Sequence, residues 1–405
     1  MADLIQDALT AALLLIQANM EEEDDDAAAP SAAVATAPRA KLAKRSAVDT
    51  PVNQEAKLVV SINDEALTAA ELEAIFEVTI HQDVEAPSSF SLRFKDDDAL
   101  ARAEDRRYNL GGKVTVSAGY DAPEPLITGD ITGLEIDLTG GETPSLVVHG
   151  YDRRHRLSRG TRTDSYAKLT DSGIAERIAR RNGLSFKGDS TTVTYDLVLQ
   201  HEQSDLEFLK QRADRIGYEV LVEAETLYFR APPISAKAAL TLSMDGDVTE
   251  FYARMSALDQ PEEVHVRGWD PKLEGRATVQ DLPSMGGKTG ASEAAIAFKA
   301  IPGTVIQVDQ PVTTVDEAKA MARGQLEALA LRFVRGEGTC LGNPELRAGK
   351  TLALTDLGPR FGGTYYIVSA QHTYTREQGY RTKFTVRRSA TGTAGEGTAP
   401  PAPSP

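Results

Sequence analysis

The stretch SDLEFLKQRADRIGYEV, residues 204–220, reads as a short capped helix running straight into a strand. Ser204 followed three residues later by Glu207 is a capping box, in which each side chain satisfies an orphan amide of the first turn. Leu206, Leu209, Ala213 and Ile216 recur at helical spacing and form one buried stripe. Gly217 supplies the left-handed stop, and Tyr218 to Val222 begins an alternating strand. The helix is a packing element, and its place is set by what surrounds it.

Working outward, a second helix is expected over 169–182, with Ile174 and Ile178 one turn apart and Gly183 as its stop. With the hairpin 218–230 the two helices make an α+β unit over 153–233, ending at Pro232-Pro233. Strand patterns flank it on both sides. Before it, 57–152 holds about six short alternating runs, among them 58–62, 75–80, FSLRF (90–94), KVTVSAGY (113–120), 127–137 and 146–152. That spacing fits a small antiparallel barrel or sandwich. A short turn segment is expected at 63–72. After the unit, 234–389 opens a second strand-rich region, with strands at 264–268, 351–355, 364–375 and 382–388. It also holds a looser Gly-containing stretch at 271–300 and one good helix, with Thr314 and Glu317 as a capping box and Met321, Leu326, Leu329 and Phe333 inward. VVHGYDRR (147–154) and HVRGWDPK (265–272) share a strand, a glycine, an aromatic and an aspartate, which suggests two related barrels.

The chain has 405 residues, 32 glycines and 20 prolines, enough for several cores in a β-rich, multi-lobed protein. A net charge of −16, from 44 basic and 60 acidic residues, argues against nucleic-acid binding, which needs a basic face. The single cysteine, Cys340, makes no internal disulfide and reads as a small core residue. GGKTG (286–290) lacks the earlier glycine of a phosphate-binding loop, and HEQSD (201–205) lacks the second histidine of a zinc helix. The acidic runs 96–98 and 245–247 lack the ligand pattern of a calcium loop, and no nucleophile elbow is present. No catalytic, cofactor or metal site is expected. The positive cluster Arg153, Arg154, Arg156 and Arg159 has two readings: a solvated loop, or a face for the acidic surface of a partner or another protomer.

Residues 1–20 carry an apolar stripe, Leu4, Ile5, Leu9, Leu13 and Ile16, expected on one side of an amphipathic helix. An acidic block (21–26) and an Ala/Pro/Ser/Thr-rich linker follow to residue 56, and 390–405 reads as a disordered tail. The apolar run AALLLI (11–16) has no basic residue before it and is too short to span a bilayer, so neither an export signal nor stable membrane insertion is expected. The stripe either folds back on its own domain or docks into a groove of a neighbouring subunit.

The wording of 204–220 resembles a segment of the phage late control protein D and VgrG families, the hubs of contractile tails and injection machines. The run 342–388 resembles the end of late control D proteins through Gly342, Pro344, Leu346 and Gly349. It continues through Arg360, Phe361, Gly363, Tyr365, Tyr366, His372, Gly379, Tyr380, Thr382, Phe384 and Arg388. VHVRGWDP (264–271) is similar to the family's central strand, and the likeness covers about 57–389. The resemblance implies a β-rich α+β fold with two tube-like antiparallel β-barrel domains, 57–152 and 234–389, around the inserted α+β domain. It implies a non-enzymatic, structural baseplate hub of a contractile injection system or phage tail-like particle. Such a homotrimer adapts the hexameric inner tube above to the trimeric spike protein below, beside other baseplate components. The chain would be made in the bacterial cytoplasm and built into the particle, with the spike as a separate polypeptide. The alternatives are the hub of a type VI or non-contractile tail, and a tail-associated cell-wall hydrolase, which would need paired carboxylates in a cleft.

Overall fold

The helix expected after Ser204 spans Asp205–Arg215, and both halves of its capping box form. Ser204 Oγ accepts from the Glu207 amide, and the Glu207 carboxylate accepts from the Ser204 amide at 2.9 Å. Leu206, Leu209 and Ala213 are buried as the spacing requires, together with Phe208, and Gly217 turns the chain at φ +70°. The computed structural model describes residues 56–392 apart from 235–236, 269, 271, 284, 286, 298–304 and 310–311. The stripe Leu4, Ile5, Leu9, Leu13 and Ile16, the acidic block and linker up to residue 55, and 393–405 lie outside the described residues.

Among the described residues, seven strands precede the α+β unit: β1 (Lys57–Ile62), β2 (Glu65–Ala66), β3 (Ile75–Asp83), β4 (Ser89–Lys95), β5 (Lys113–Gly119), β6 (Glu124–Asp137) and β7 (Ser145–Asp152). The unit contributes β8 (Arg162–Thr170), β9 (Ser185–Gly188), β10 (Thr194–Gln203), β11 (Glu219–Glu223) and β12 (Thr226–Arg230). Nine more follow: β13 (Leu240–Ser243), β14 (Val248–Met255), β15 (Glu263–Arg267), β16 (Glu274–Thr278), β17 (Val305–Asp309), β18 (Val334–Leu341), β19 (Thr351–Thr355), β20 (Gly363–Thr375) and β21 (Gly379–Arg388).

One 13-stranded sheet gathers strands from both flanks in the order β14-β18-β21-β20-β3-β4-β7-β6-β5-β1-β2, with β19 on β20 and β13 on β19. β20 makes the join. Its start, Gly363 to Tyr366, pairs with β19, and Ser369 to Thr375 pairs with β3 from the other end of the chain. A register shift between Ile367 and Ser369 marks the change, as a bulge does where a strand turns from one partner to another. The sheet curls over two apolar clusters. One holds Val60, Ile80, Leu92, Val116 and Val148, the other Leu242, Val334, Leu354, Tyr365 and Phe384. The chain is thus β-rich, its main body a curled, largely antiparallel sheet with one parallel pair, β13 on β19.

The α+β unit has its own core, where Ile174, Ile178, Leu209, Leu227 and Phe229 meet between two helices and the β11-β12-β9 sheet. Its first helix, Asp171–Arg181, starts two residues later than its pattern suggests because 162–170 is strand β8. Residues 263–330 stand apart from the long sheet. There β16-β15-β17 carries the helix Val315–Ala330 through Val264, Val266, Met321 and Leu326.

Several expectations need correction. The segment 63–72 is not only a turn: Thr68 and Glu71 form a capping box that starts the helix Ala69–Ala74. The stretch 271–300 contains β16 and the helix Gly290–Ala297. The cap at Thr314 is half a box, since Glu317 accepts instead from the Thr313 amide and hydroxyl at 2.8 and 2.9 Å. Phe333 lies past the helix, in the core of the long sheet. The two similar segments occupy unlike places, β7 inside the long sheet and β15 in the middle of the small one. Ala390 bridges Thr289 and is 1% exposed, so the chain is still packed where a disordered tail was expected to start.

Candidate assembly surface

The elements with most to offer a partner are the faces and edges of the long sheet. Side chains alternate across it, so one face is apolar and the other polar. The polar face is ordered in cross-strand rows. One runs Arg254, Arg335, Arg387 over β14, β18 and β21. The next runs Tyr252, Glu337, Thr385, Ser369, Asp83, and a third Glu250, Thr339, Lys383, Gln371, His81. Hydroxyls, amides and charges of both signs line this face.

The apolar face includes one polar cluster. His372 is 1% exposed, with Nδ1 2.8 Å from the Tyr380 hydroxyl and 3.2 Å from Thr382 Oγ1. Burial, helped by the positive charge of Arg347, pushes the His372 pKa down to about 3, so the ring is a neutral bridge. Burial also pushes the Cys340 thiol up to about 12, which leaves it protonated, a core residue rather than a nucleophile.

The arginine cluster seen in sequence is taken apart by the fold. Arg154 is 2% exposed and is not a surface residue. Its guanidinium donates to Asp152, to the Asp83 carbonyl at 2.7 Å and to the Val220 carbonyl at 3.3 Å. It therefore staples the end of β3 to β11 of the α+β unit. Arg156 makes a two-pronged contact with the buried Asp130 at 2.6 and 2.8 Å, and Arg153 pairs with Glu225 at 2.8 Å. Arg159 is exposed. A solvated loop is the wrong description of 153–156, because three of its cations are spent inside the chain.

A second staple was not visible in sequence. Glu219, next to Val220, accepts from the Tyr366 hydroxyl on β20 and from Arg230 Nε at 2.9 Å. Arg230 also donates to the Gly349 carbonyl at 3.0 Å. Burial raises the Glu219 pKa against the pull of these partners. On the other flank, Arg215 pairs with Glu317 at 2.8 Å, and Gly217 meets Gly324 backbone to backbone. The C-terminal end of the 204–220 segment thus touches both the small sheet's helix and the long sheet. Beside Arg154 a cavity of about 320 Å³ is lined by Gln82, Asp152, Leu221, Tyr228 and Arg347. Among the described residues no group of three His, Cys, Asp or Glu side chains could hold a metal ion, and no helix is long and apolar enough to cross a membrane.

A family profile described as the Alg8 N-terminal domain matches residues 53–376, most of the chain. No curated protein sequence matches it. Among solved structures, the 43 kDa tail protein of prophage MuSo2 from Shewanella oneidensis is 15% identical with a TM-score of 0.62, over 82% of this chain and 98% of that one. The tail protein from Neisseria meningitidis MC58 is 13% identical with a TM-score of 0.60, over 82% and 96%. The E. coli c3393 protein, a type VI secretion component similar to the T4 tail proteins gp27 and gp5, is 14% identical with a TM-score of 0.54, over 85% and 79%. At these identities the likeness is one of fold, and it is to phage tail and type VI secretion proteins.

Proposed function

The chain belongs to the Alg8 N-terminal domain family, and from its fold we propose that it is a structural baseplate hub of a phage tail or contractile injection system, without enzymatic activity. The observation that carries this reading is the long curled sheet with one polar face and, among the described residues, open strand edges, on a fold shared with tail proteins. Open sheet ends are a hazard in a free monomer and an asset in a ring, where each end meets the next copy. In this reading the chain is late control D- or VgrG-like and forms a homotrimer. The strand-rich segments 57–152 and 234–389 act as two tube-like barrel lobes around the inserted 153–233. Two lobes in each of three copies offer a pseudo-sixfold ring to the inner tube and a threefold one to the spike. The chain is made in the cytoplasm and incorporated into the particle. The exposed Arg159, beside the paired Arg153 and Arg156, faces other baseplate components.

The stripe Leu4, Ile5, Leu9, Leu13 and Ile16 docks on a baseplate, tube or cargo component. Deleting residues 1–50 should impair particle assembly or cargo loading, and unchanged particles would remove that role. The hub reading is tested by cryo-EM of particles from the native gene cluster. Density for three copies between tube and spike is expected, and absence of the chain from purified particles would overturn it. A lytic band in a cell-wall zymogram would favour a hydrolase instead. The likeness to the E. coli secretion component supports a second reading, the hub of a type VI machine.

A further inference from the structure

The row Arg254, Arg335, Arg387 is unusual in chemistry as well as position. Side chains directly opposite on neighbouring strands stand about 5 Å apart, where like charges repel. Arg387 is relieved by Glu85 at 3.1 Å. Arg254 and Arg335 are exposed and meet no carboxylate among the described residues. They also sit where the sheet ends. From Glu250 to Met255, β14 pairs with β18 on one side and with no strand among the described residues on the other. Tyr252 is 72% exposed on that edge, and on the apolar face Phe251 and Met255 are only partly buried.

A second open edge has the complementary chemistry. β5 covers β6 from Glu124 to Asp130, and one more backbone pair forms between Ile131 and the Gly111-Gly112 turn. Beyond it, past a bulge at Thr132, Gly133 to Asp137 pairs with β7 on one side and with no strand on the other among the described residues. Along this arm Glu135 and Asp137 point to the polar face, Glu135 lying 3.3 Å from His149. Leu134 and Ile136 alternate onto the apolar face, with Ile136 42% and Leu138 55% exposed.

The two edges also match in direction. Each step from β14 through β18, β21, β20, β3, β4 and β7 to β6 is antiparallel, and there are seven steps, so β14 and β6 run in opposite senses. Copies related by rotation about an axis along the strands bring β6 of one beside β14 of the next as an antiparallel pair. The polar faces then lie on the same side.

We propose that the β6 arm of one copy, residues 132–138, adds to the β14 edge of a second copy. Glu135 and Asp137 then face the unpaired Arg254 and Arg335, while Ile136 and Leu138 cover Phe251 and Met255. The contact is head to tail and closes when the rotation does. Backbone hydrogen bonds and apolar cover supply adhesion, and the charges select this edge over others. This contact rests on the ring-forming hub reading and names the surface through which the ring forms.

Sedimentation of the full-length chain over a concentration series tests it, with three variants: Arg254→Glu with Arg335→Glu, Glu135→Arg with Asp137→Arg, and all four together. Each reversed pair should shift self-association to about tenfold higher concentration or more. The fourfold variant should recover most of that shift, and circular dichroism melts should show all three folded. If the wild type associates but the reversals leave its midpoint unmoved, or the fourfold variant recovers nothing, this contact is wrong while the ring stands. A wild-type chain that stays monomeric throughout would overturn both.

Discussion

At residue scale, Gly324 is the position where chain chemistry and packing disagree most usefully. In a helix interior, alanine normally stabilises over glycine by about 0.5–1 kcal/mol. Here a Cβ on Gly324 would lie 2.3 Å from the Ile216 carbonyl carbon and 2.4 Å from the Gly217 amide, all of it backbone that cannot rotate away. Gly324→Ala should therefore cost about 1–3 kcal/mol in urea unfolding, the reverse of the propensity effect. A stabilised variant would mean that the two helices do not approach this closely. Nothing in the run around 324 announces this, because the glycine's reason is a residue more than a hundred positions earlier. His372 has a signature of another kind. Its folded pKa, about 3, lies below its ordinary 6.5, so the folded state binds its proton more weakly than the unfolded chain. The stability this brings is complete above 6.5 and is lost as pH falls from there toward 3. His372→Gln should be less stable than wild type at pH 7.5, through the altered contact with Tyr380. The gap should narrow steadily on acidification, as only the wild type pays for protonation. A gap constant with pH would show that the ring titrates normally.

At the scale of elements, what could be read ahead of the fold was what is local. The capping box at Ser204, its helix, and the strands of 342–388 rest on neighbours within a few residues, and they form where their patterns lie. The helices Ala69–Ala74 and Gly290–Ala297 were missed because each is too short, or too uniform in Ala and Gly, to show a clear apolar stripe. The helix Asp205–Arg215 also shows why a charged position can be mistaken for a solvated one. Arg212 lies on its buried side, 8% exposed, and reaches Asp171 on the neighbouring helix at 2.6 Å while stacking over Tyr195 at 4.4 Å. Removing one partner of such a pair strands the other in a dry core. Arg212→Met should therefore destabilise by about 3–5 kcal/mol, and adding Asp171→Leu should return most of the loss. Urea unfolding of the single and double variants checks both, and a single variant near wild-type stability would show that Asp171 finds water instead. The same logic made the Arg153–Arg159 run look like a surface. The partners that bury Arg154 come from β3 and β11, some seventy residues away on either side, so no local pattern encodes them.

At the scale of the whole molecule, the feature least open to a reading of sequence is the continuity of the sheet. β20 and β3 pair along Ser369 to Thr375 although close to three hundred residues separate them, and alternation of apolar residues does not tell one antiparallel partner from another. Read along the chain, 57–152 and 234–389 looked like two barrels. In space their strands share one hydrogen-bonded ladder, and Tyr380 of β21 packs into the apolar cluster formed mainly by residues 60–148. A shared ladder has a thermodynamic consequence. If two lobes merely touch, weakening one leaves the opening of the other unchanged. If they share β20, opening either exposes the unpaired edge of the other, and their amides exchange through a common opening. Val148→Ala, in the first cluster and far along the chain from β20, should create a cavity costing about 1–3 kcal/mol. In hydrogen-exchange mass spectrometry that change should speed exchange in 369–375 and 379–388 by the same factor as in β3 and β4. Faster exchange confined to 57–152 would show two independent lobes, and the sheet would then be a seam between barrels rather than one structural unit.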